Sequence, residues 1–197
     1  MKTSASALLP ILRSDAVGEL LARLYLTPGR PWTLGQLADA AGVSLPTATR
    51  EVTRMVAAGL LHEDRIGRTR QVRANPTARL FESLRQMITL TYGPVPVLED
   101  ELRELDGVEN AFVYGSWAAR HEGVEGPEPH DVDVLVVGKP DVEELFEAGE
   151  RARRRLQREV NIRTVSATAW TDPRPADPFL QHVHTSPLVA LDLGAEA

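Results

Sequence analysis

AFVYGSWAARHEGVEGPEPHDVDVLVVG, residues 111–138, decides how the second half of this chain is read. An apolar run ends in Gly115-Ser116, and a longer one follows Asp131-Val132-Asp133. Short apolar runs bounded by Gly, Pro and charged clusters read as strands. The spacing predicts a strand over 108–114, a helical turn from Gly115, a loop over 120–130 and a strand over 132–137. Side chains alternate along a strand, so Asp131 and Asp133 project from one face, ~7 Å apart. Two carboxylates that close repel unless a cation lies between them. Mg²⁺ suits the place, because it binds through one or two carboxylates plus phosphate oxygens. Gly115 lets a phosphate approach the backbone, and the Ser116 hydroxyl and neighbouring amides can hold phosphate oxygens. Two such ions can clamp the attacking and leaving oxygens of a phosphoryl or nucleotidyl transfer.

Around this stretch the pattern predicts a helix over 98–106, a turn at 138–140, a long helix from Asp141 to about Glu159 and a strand over 160–167. A short helix over 179–185 and a strand over 188–193 follow. The long helix would bury Val142, Leu145, Phe146, Ala152 and Leu156. Of Arg151, Arg153, Arg154, Arg155 and Arg158, four then point outward and Arg153 leans inward. That run reads as a solvated face, with cations where the helix dipole favours them. His130 reads as a bystander before a strand, and His182 and His184 lack the strand geometry a metal pair needs.

Gly-Ser at the end of one strand and Asp-Val-Asp at the start of the next resemble the DNA polymerase beta superfamily of nucleotidyltransferases. The nearest branches are the minimal and kanamycin-nucleotidyltransferase-like ones. The resemblance covers roughly residues 96–194. It implies an α+β domain, a mixed sheet with flanking helices, that transfers a nucleoside monophosphate from a nucleoside triphosphate with Mg²⁺. Asp131 and Asp133 take the metal and catalytic positions, and Gly115 and Ser116 the nucleotide positions. Two departures stand out. The spacer from Trp117 to His130 is 14 residues, which makes the Glu122, Glu125 and Glu128 loop an insertion over the site. The third carboxylate, expected on the strand after the long helix, is replaced by Asn161. Asn cannot act as a base and is a weaker ligand for a hard cation. Glu159, two residues earlier on the same face, is the substitute. Asn161 therefore separates a nucleotide-binding domain from one that turns over.

The first half alternates differently. Apolar spacing predicts helices over 15–26, 33–41 and from Ser44 to about Ala58, with Leu45, Ala48, Val52 and Met55 on the inner face of the last. Gly59 ends that helix. Strands over 60–65 and 69–74 flank a turn at 66–68, and a helix over 80–91 leads to Tyr92-Gly93-Pro94. TLGQLADAAGVSLPTATREVTRMVAAGLLHEDR, residues 33–65, resembles the winged helix-turn-helix of ArsR-like and MarR-like transcription regulators. The resemblance implies a recognition helix in the major groove of double-stranded DNA. Pro46, Thr47, Arg50, Thr53 and Arg54 lie on its outer face, with Arg50 or Arg54 suited to guanine. Arg65, Arg68, Arg70 and Arg73 of the wing suit backbone phosphates. Such regulators pair as homodimers to match paired half-sites, and the helix over 80–91 is the candidate dimer element.

Composition supports the division. The chain has 197 residues and a net charge of −6. Residues 1–95 hold 12 Lys+Arg against 7 Asp+Glu, net +5, and residues 96–197 hold 10 against 21, net −11. A basic and an acidic half point to two domains with different partners, placed at 1–93 and 94–197. With no cysteine, disulfides, Cys-ligated zinc and thiol chemistry are excluded. No apolar run approaches the ~18 residues of a membrane helix, and the first ten residues make a poor signal peptide, so the expected location is cytoplasmic. Arg supplies 20 of the 22 basic residues, which lowers the weight of any single Arg. The expectation is a two-domain α/β DNA-binding regulator whose second domain binds metal-nucleotide. The rival is an active transferase, including one that adenylylates a partner protein as some antitoxins do.

Overall fold

The computed structural model describes residues 12, 14–172 and 177–194. The chain divides into two compact units, Met1–Gly93 and Pro94–Ala197.

In the first unit, α1 (Asp15–Tyr25), β1 (Trp32–Thr33), α2 (Leu34–Ala40), α3 (Leu45–Ala57), β2 (Leu61–Ile66), β3 (Thr69–Ala74) and α4 (Phe81–Tyr92) follow in order. The strands form an antiparallel sheet in the order β1-β3-β2. Thr33 and Gln36 make a reciprocal capping box at the start of α2, which satisfies amides the helix leaves free. The Ser44 hydroxyl caps α3 by accepting from the Thr47 amide. Leu20, Leu24, Tyr25, Trp32, Leu37, Val52, Val72 and Ile88 are nearly or fully buried in one core.

In the second unit, α5 (Pro94–Leu102) precedes β4 (Val108–Tyr114), α6 (Gly115–His121), β5 (Asp131–Gly138) and α7 (Val142–Leu156). Then come β6 (Glu159–Val165), α8 (Ala167–Thr171), α9 (Pro178–Thr185) and β7 (Val189–Ala190). The sheet is mixed, in the order β6-β5-β4-β7. β5 and β6 are parallel, and the other pairs are antiparallel. Val132, Val134 and Val136 of β5 share a core with Val97, Leu98 and Leu102 of α5 and Leu145, Ala148, Ala152 and Leu156 of α7. The odd-numbered residues of β5 face the other way. Leu135 and Val137 there are buried, while Asp131 and Asp133 are only half-buried.

Several sequence expectations need correction. Leu45 is 51% exposed, and Val142 and Phe146 are 82% and 68% exposed. The buried stripe of α7 is Leu145, Ala148, Ala152 and Leu156, a tighter spacing that leaves Val142 and Phe146 outside. Arg153 is exposed and pairs with Glu150 and Glu159, whereas Arg151 and Arg155 turn toward Glu101 of α5, whose carboxylate is 5% exposed. Burial works against the Arg155 charge, but Glu101 and Asp100 outweigh it and raise its pKa. Helix α5 starts at Pro94 and ends at Leu102, because Pro is tolerated in a first helical turn. Helix α7 stops at Leu156, where Gln157 adopts a left-handed conformation (φ 52°). β1 and α8 were not expected, and β7 is only two residues long; all three are too short to carry a periodic signal.

Candidate functional site

β4 runs antiparallel to β5 and brings Tyr114 opposite Asp133. The next residue, Gly115, turns the chain into α6 with φ 73°. A Cβ on Gly115 would stand 2.6 Å from Asp133 Oδ2. The space on the side where a Cβ would stand is thus occupied by the carboxylate of the acidic pair. Ser116, beside it, is exposed.

The parallel register of β5 and β6 pairs Asp131 with Glu159 and Asp133 with Asn161. The Asn161 Nδ2 group donates to Asp131 Oδ2 and to Asp133 Oδ1, each at 3.1 Å. An amide nitrogen has two hydrogens, one for each carboxylate. The two acids therefore converge on one point held by a neutral donor, which relieves their repulsion. Glu159 sends its carboxylate to Arg153, 3.5 Å away. Among the described residues, no group of three or more Asp, Glu or His gathers in metal-binding geometry. The residues fit one divalent cation if the Asn161 amide turns its carbonyl oxygen inward. Two carboxylates and a neutral oxygen then make an incomplete hard-donor set, to which phosphate oxygens and water can add.

The loop after α6 is tied down at two points. Arg120 donates to the Val124 carbonyl, and Glu128 pairs with Arg158 at 3.2 Å. Glu122 and Glu125 are exposed. Aromatic groups cover the same sheet face further along. Phe112 packs on Trp170, which stacks on His184 at 4.1 Å. Tyr114 meets the edge of Phe179, and Arg163 lies 3.7 Å over the Phe179 ring. Burial lifts the Tyr114 pKa and the Asp133 charge lifts it further, against a smaller opposing effect of Arg163. His182 and His184 sit on α9, and His130 is exposed.

Residues 95–175 match the family model of the nucleotidyltransferase domain. A nucleotidyltransferase domain is therefore present in the second unit. No curated protein and no solved structure matches the chain. No helix among the described residues is long and apolar enough to cross a membrane.

In the first unit, Pro46, Arg50, Thr53 and Arg54 are exposed and Thr47 is half-buried. With Leu45 and Thr49, four of them line an open groove on the outer face of α3. The arginines are not bare cations. Arg50 and Arg54 both bind Glu51, at 2.9 and 3.1 Å. Arg50 first, then Arg54, holds the Glu51 carboxyl below the usual carboxylate range. Arg70 pairs with Glu63 at 2.7 Å and donates to the Thr53 hydroxyl, which links β3 to α3. Arg65 and Arg73 lie near Glu63 and Asp64. Arg68, in the turn between β2 and β3, is exposed.

Arg163, Phe179 and Tyr114 were not singled out in the sequence. Alternation along β6 does place Arg163 on the face of Asn161. No local signal brings Phe179 across the intervening residues to meet it.

Proposed function

We propose that this protein is a DNA-binding transcription regulator whose second unit binds a metal-nucleotide complex at Asp131, Asp133, Gly115 and Ser116. The observation that carries the nucleotide part is the convergence of both carboxylates beside the Gly115-Ser116 turn, inside the nucleotidyltransferase domain. Mg²⁺ is the cation this oxygen set suits, and a nucleoside triphosphate supplies the missing ligands. The ion would offset the paired carboxylates and polarise phosphate oxygens. Asp131 and Asp133 would hold it, Asn161 would complete the set once its amide turned the carbonyl oxygen inward, and Ser116 would donate to phosphate.

The DNA part rests on the first unit. Its order is helix, strand, helix, helix and hairpin, with β1 closing onto β3, the arrangement expected of a winged helix-turn-helix. Its exposed outer helix and hairpin carry Arg50, Arg54, Arg65, Arg68, Arg70 and Arg73. Leu80 and Leu90, at the start and toward the end of α4, are 62% and 72% exposed, which supports α4 as a homodimer element.

Turnover is the second reading, and Glu159 favours it by standing beside Asp131 in register. In that reading an acceptor hydroxyl attacks the α-phosphorus, pyrophosphate leaves, and Glu159, freed from Arg153, takes the hydroxyl proton. The acceptor could then be a partner protein, adenylylated in the manner of an antitoxin's target. The neutral Asn161 between the aspartates favours binding over turnover.

The test is selection of duplex DNA from a random pool by the full chain, followed by binding titrations with and without Mg²⁺ and nucleoside triphosphates. The proposal expects one enriched sequence whose affinity changes when metal and nucleotide are both added. No enrichment removes the regulator, and label transfer to a partner without DNA selection supports the enzyme.

A further inference from the structure

We infer that Arg163 is the contact for the distal phosphates of the nucleotide, held ready for that role by Phe179. This rests on the nucleotide reading above and deepens it.

β6 carries Asn161 and Arg163 on one face, ~7 Å apart along the strand. Asn161 meets the two carboxylates, so Arg163 lies one step further along the same sheet face. It is exposed, and its guanidinium sits 3.7 Å over the Phe179 ring. Phe179 is itself fixed. Its amide and that of Leu180 donate to the Asp177 cap of α9, and Leu180 is buried. Stacking engages the flat side of a guanidinium and leaves its in-plane N–H donors free. Those donors match phosphate oxygens in a bidentate fork. The ring also limits the rotamers Arg163 can adopt, so less entropy is lost when the anion arrives.

Charge accounting points the same way. Residues 96–197 carry net −11, and one divalent ion offsets only the two aspartates. A triphosphate adds further negative charge that some cation must meet. The nearby arginines are already engaged, Arg153 with Glu150 and Glu159 and Arg158 with Glu128. Among the described residues Arg163 forms no ion pair, and its neighbour is an uncharged ring.

The experiment measures binding of the ribonucleoside triphosphates and their monophosphates to the full chain in Mg²⁺. It compares wild type, Arg163→Ala, Arg163→Lys and Phe179→Leu, with thermal melting as a check on folding. A hydrogen-bonded charge is worth enough that Arg163→Ala should weaken triphosphate binding about 10- to 100-fold and leave monophosphate binding unchanged. Arg163→Lys should restore part of the loss, and Phe179→Leu should show a smaller loss confined to triphosphates. Triphosphate binding that Arg163→Ala leaves intact, or that falls equally for monophosphates, overturns this inference while the nucleotide reading stands. A wild type that binds no triphosphate overturns both.

Discussion

Gly115 and Asp133 fit together so closely that a single methyl group on Gly115 would stand 2.6 Å from the Asp133 Oδ2 oxygen. Gly115 also has φ 73°, a region that side-chain-bearing residues occupy at a cost. Gly115→Ala therefore combines a strained backbone with a clash. The variant should lose about 1–3 kcal/mol of stability in denaturant unfolding of the second unit. Displacing Asp133 should also weaken metal binding. Unchanged stability would mean that the turn relaxes and that Gly115 does not fix the carboxylate.

Asn161→Asp replaces the bridging donor with a third carboxylate. Without a cation three acids would face one another at the strand ends, so the apo protein should melt lower than wild type near neutral pH. Adding Mg²⁺ should raise its melting temperature more than it raises that of wild type, because stabilisation by a ligand grows with its affinity. A variant that melts as wild type does, with the same Mg²⁺ response, would show that Asn161 does not stand where the cation binds.

Glu51 pairs with Arg50 and Arg54, the two arginines that the proposed regulator would turn toward duplex DNA. Glu51→Gln removes that competitor, so affinity for duplex should rise and the dependence on salt should steepen. The wild-type log–log slope should be about −5 if five or six phosphates are neutralised, and the variant's should be more negative. A shallower slope would contradict the assignment of Arg50 and Arg54 to the DNA face. The pH dependence has a definite sign. The folded-state pKa of Glu51 is depressed, so its stabilising contribution is present above the unfolded carboxylate range and is lost as pH falls through the folded value.

Glu101 joins α5 to α7 through Arg151 and Arg155, at 2.6 and 2.9 Å. Glu101→Gln leaves two partly buried guanidiniums facing a neutral amide. Both arginines are about one-third exposed, so solvent offsets part of the cost. Chemical unfolding should show a loss of about 2–3 kcal/mol. Thermal melting of Arg153→Ala, which breaks only the exposed pairs with Glu150 and Glu159, should be nearly unchanged.

Much of the site was legible because it is local. Gly115, Ser116, Asp131 and Asp133 lie at the ends of two apolar runs, and alternation alone puts the aspartates on one face. The parallel partnership of β5 with β6 is not local, so Asn161 could be read as a missing acid but not as the bridge between two present ones. Arg163 over Phe179 needs α9 to fold back over the sheet, and nothing in either segment states that. Helical periodicity misplaced Leu45 and Val142, each the first residue of its helix, before the buried stripe has met its partner. Phe146 lies just past the buried Leu145, and the stripe continues through Ala148, Ala152 and Leu156 without it. Periodicity misread the α7 arginines for a different reason: Glu101, fifty residues away, draws Arg151 and Arg155 inward.

The central claim is that the second unit meets nucleotide through a divalent ion held by Asp131 and Asp133. Calorimetric titration of the full chain with nucleoside triphosphates, in Mg²⁺ and in chelator, tests it most directly when wild type is compared with Asp131→Asn and Asp133→Asn. Binding should appear in Mg²⁺, vanish in chelator, and be lost in both variants while their melting temperatures in chelator stay at or above wild type. Nucleotide binding that survives chelator, or that either variant retains in full, would contradict the claim.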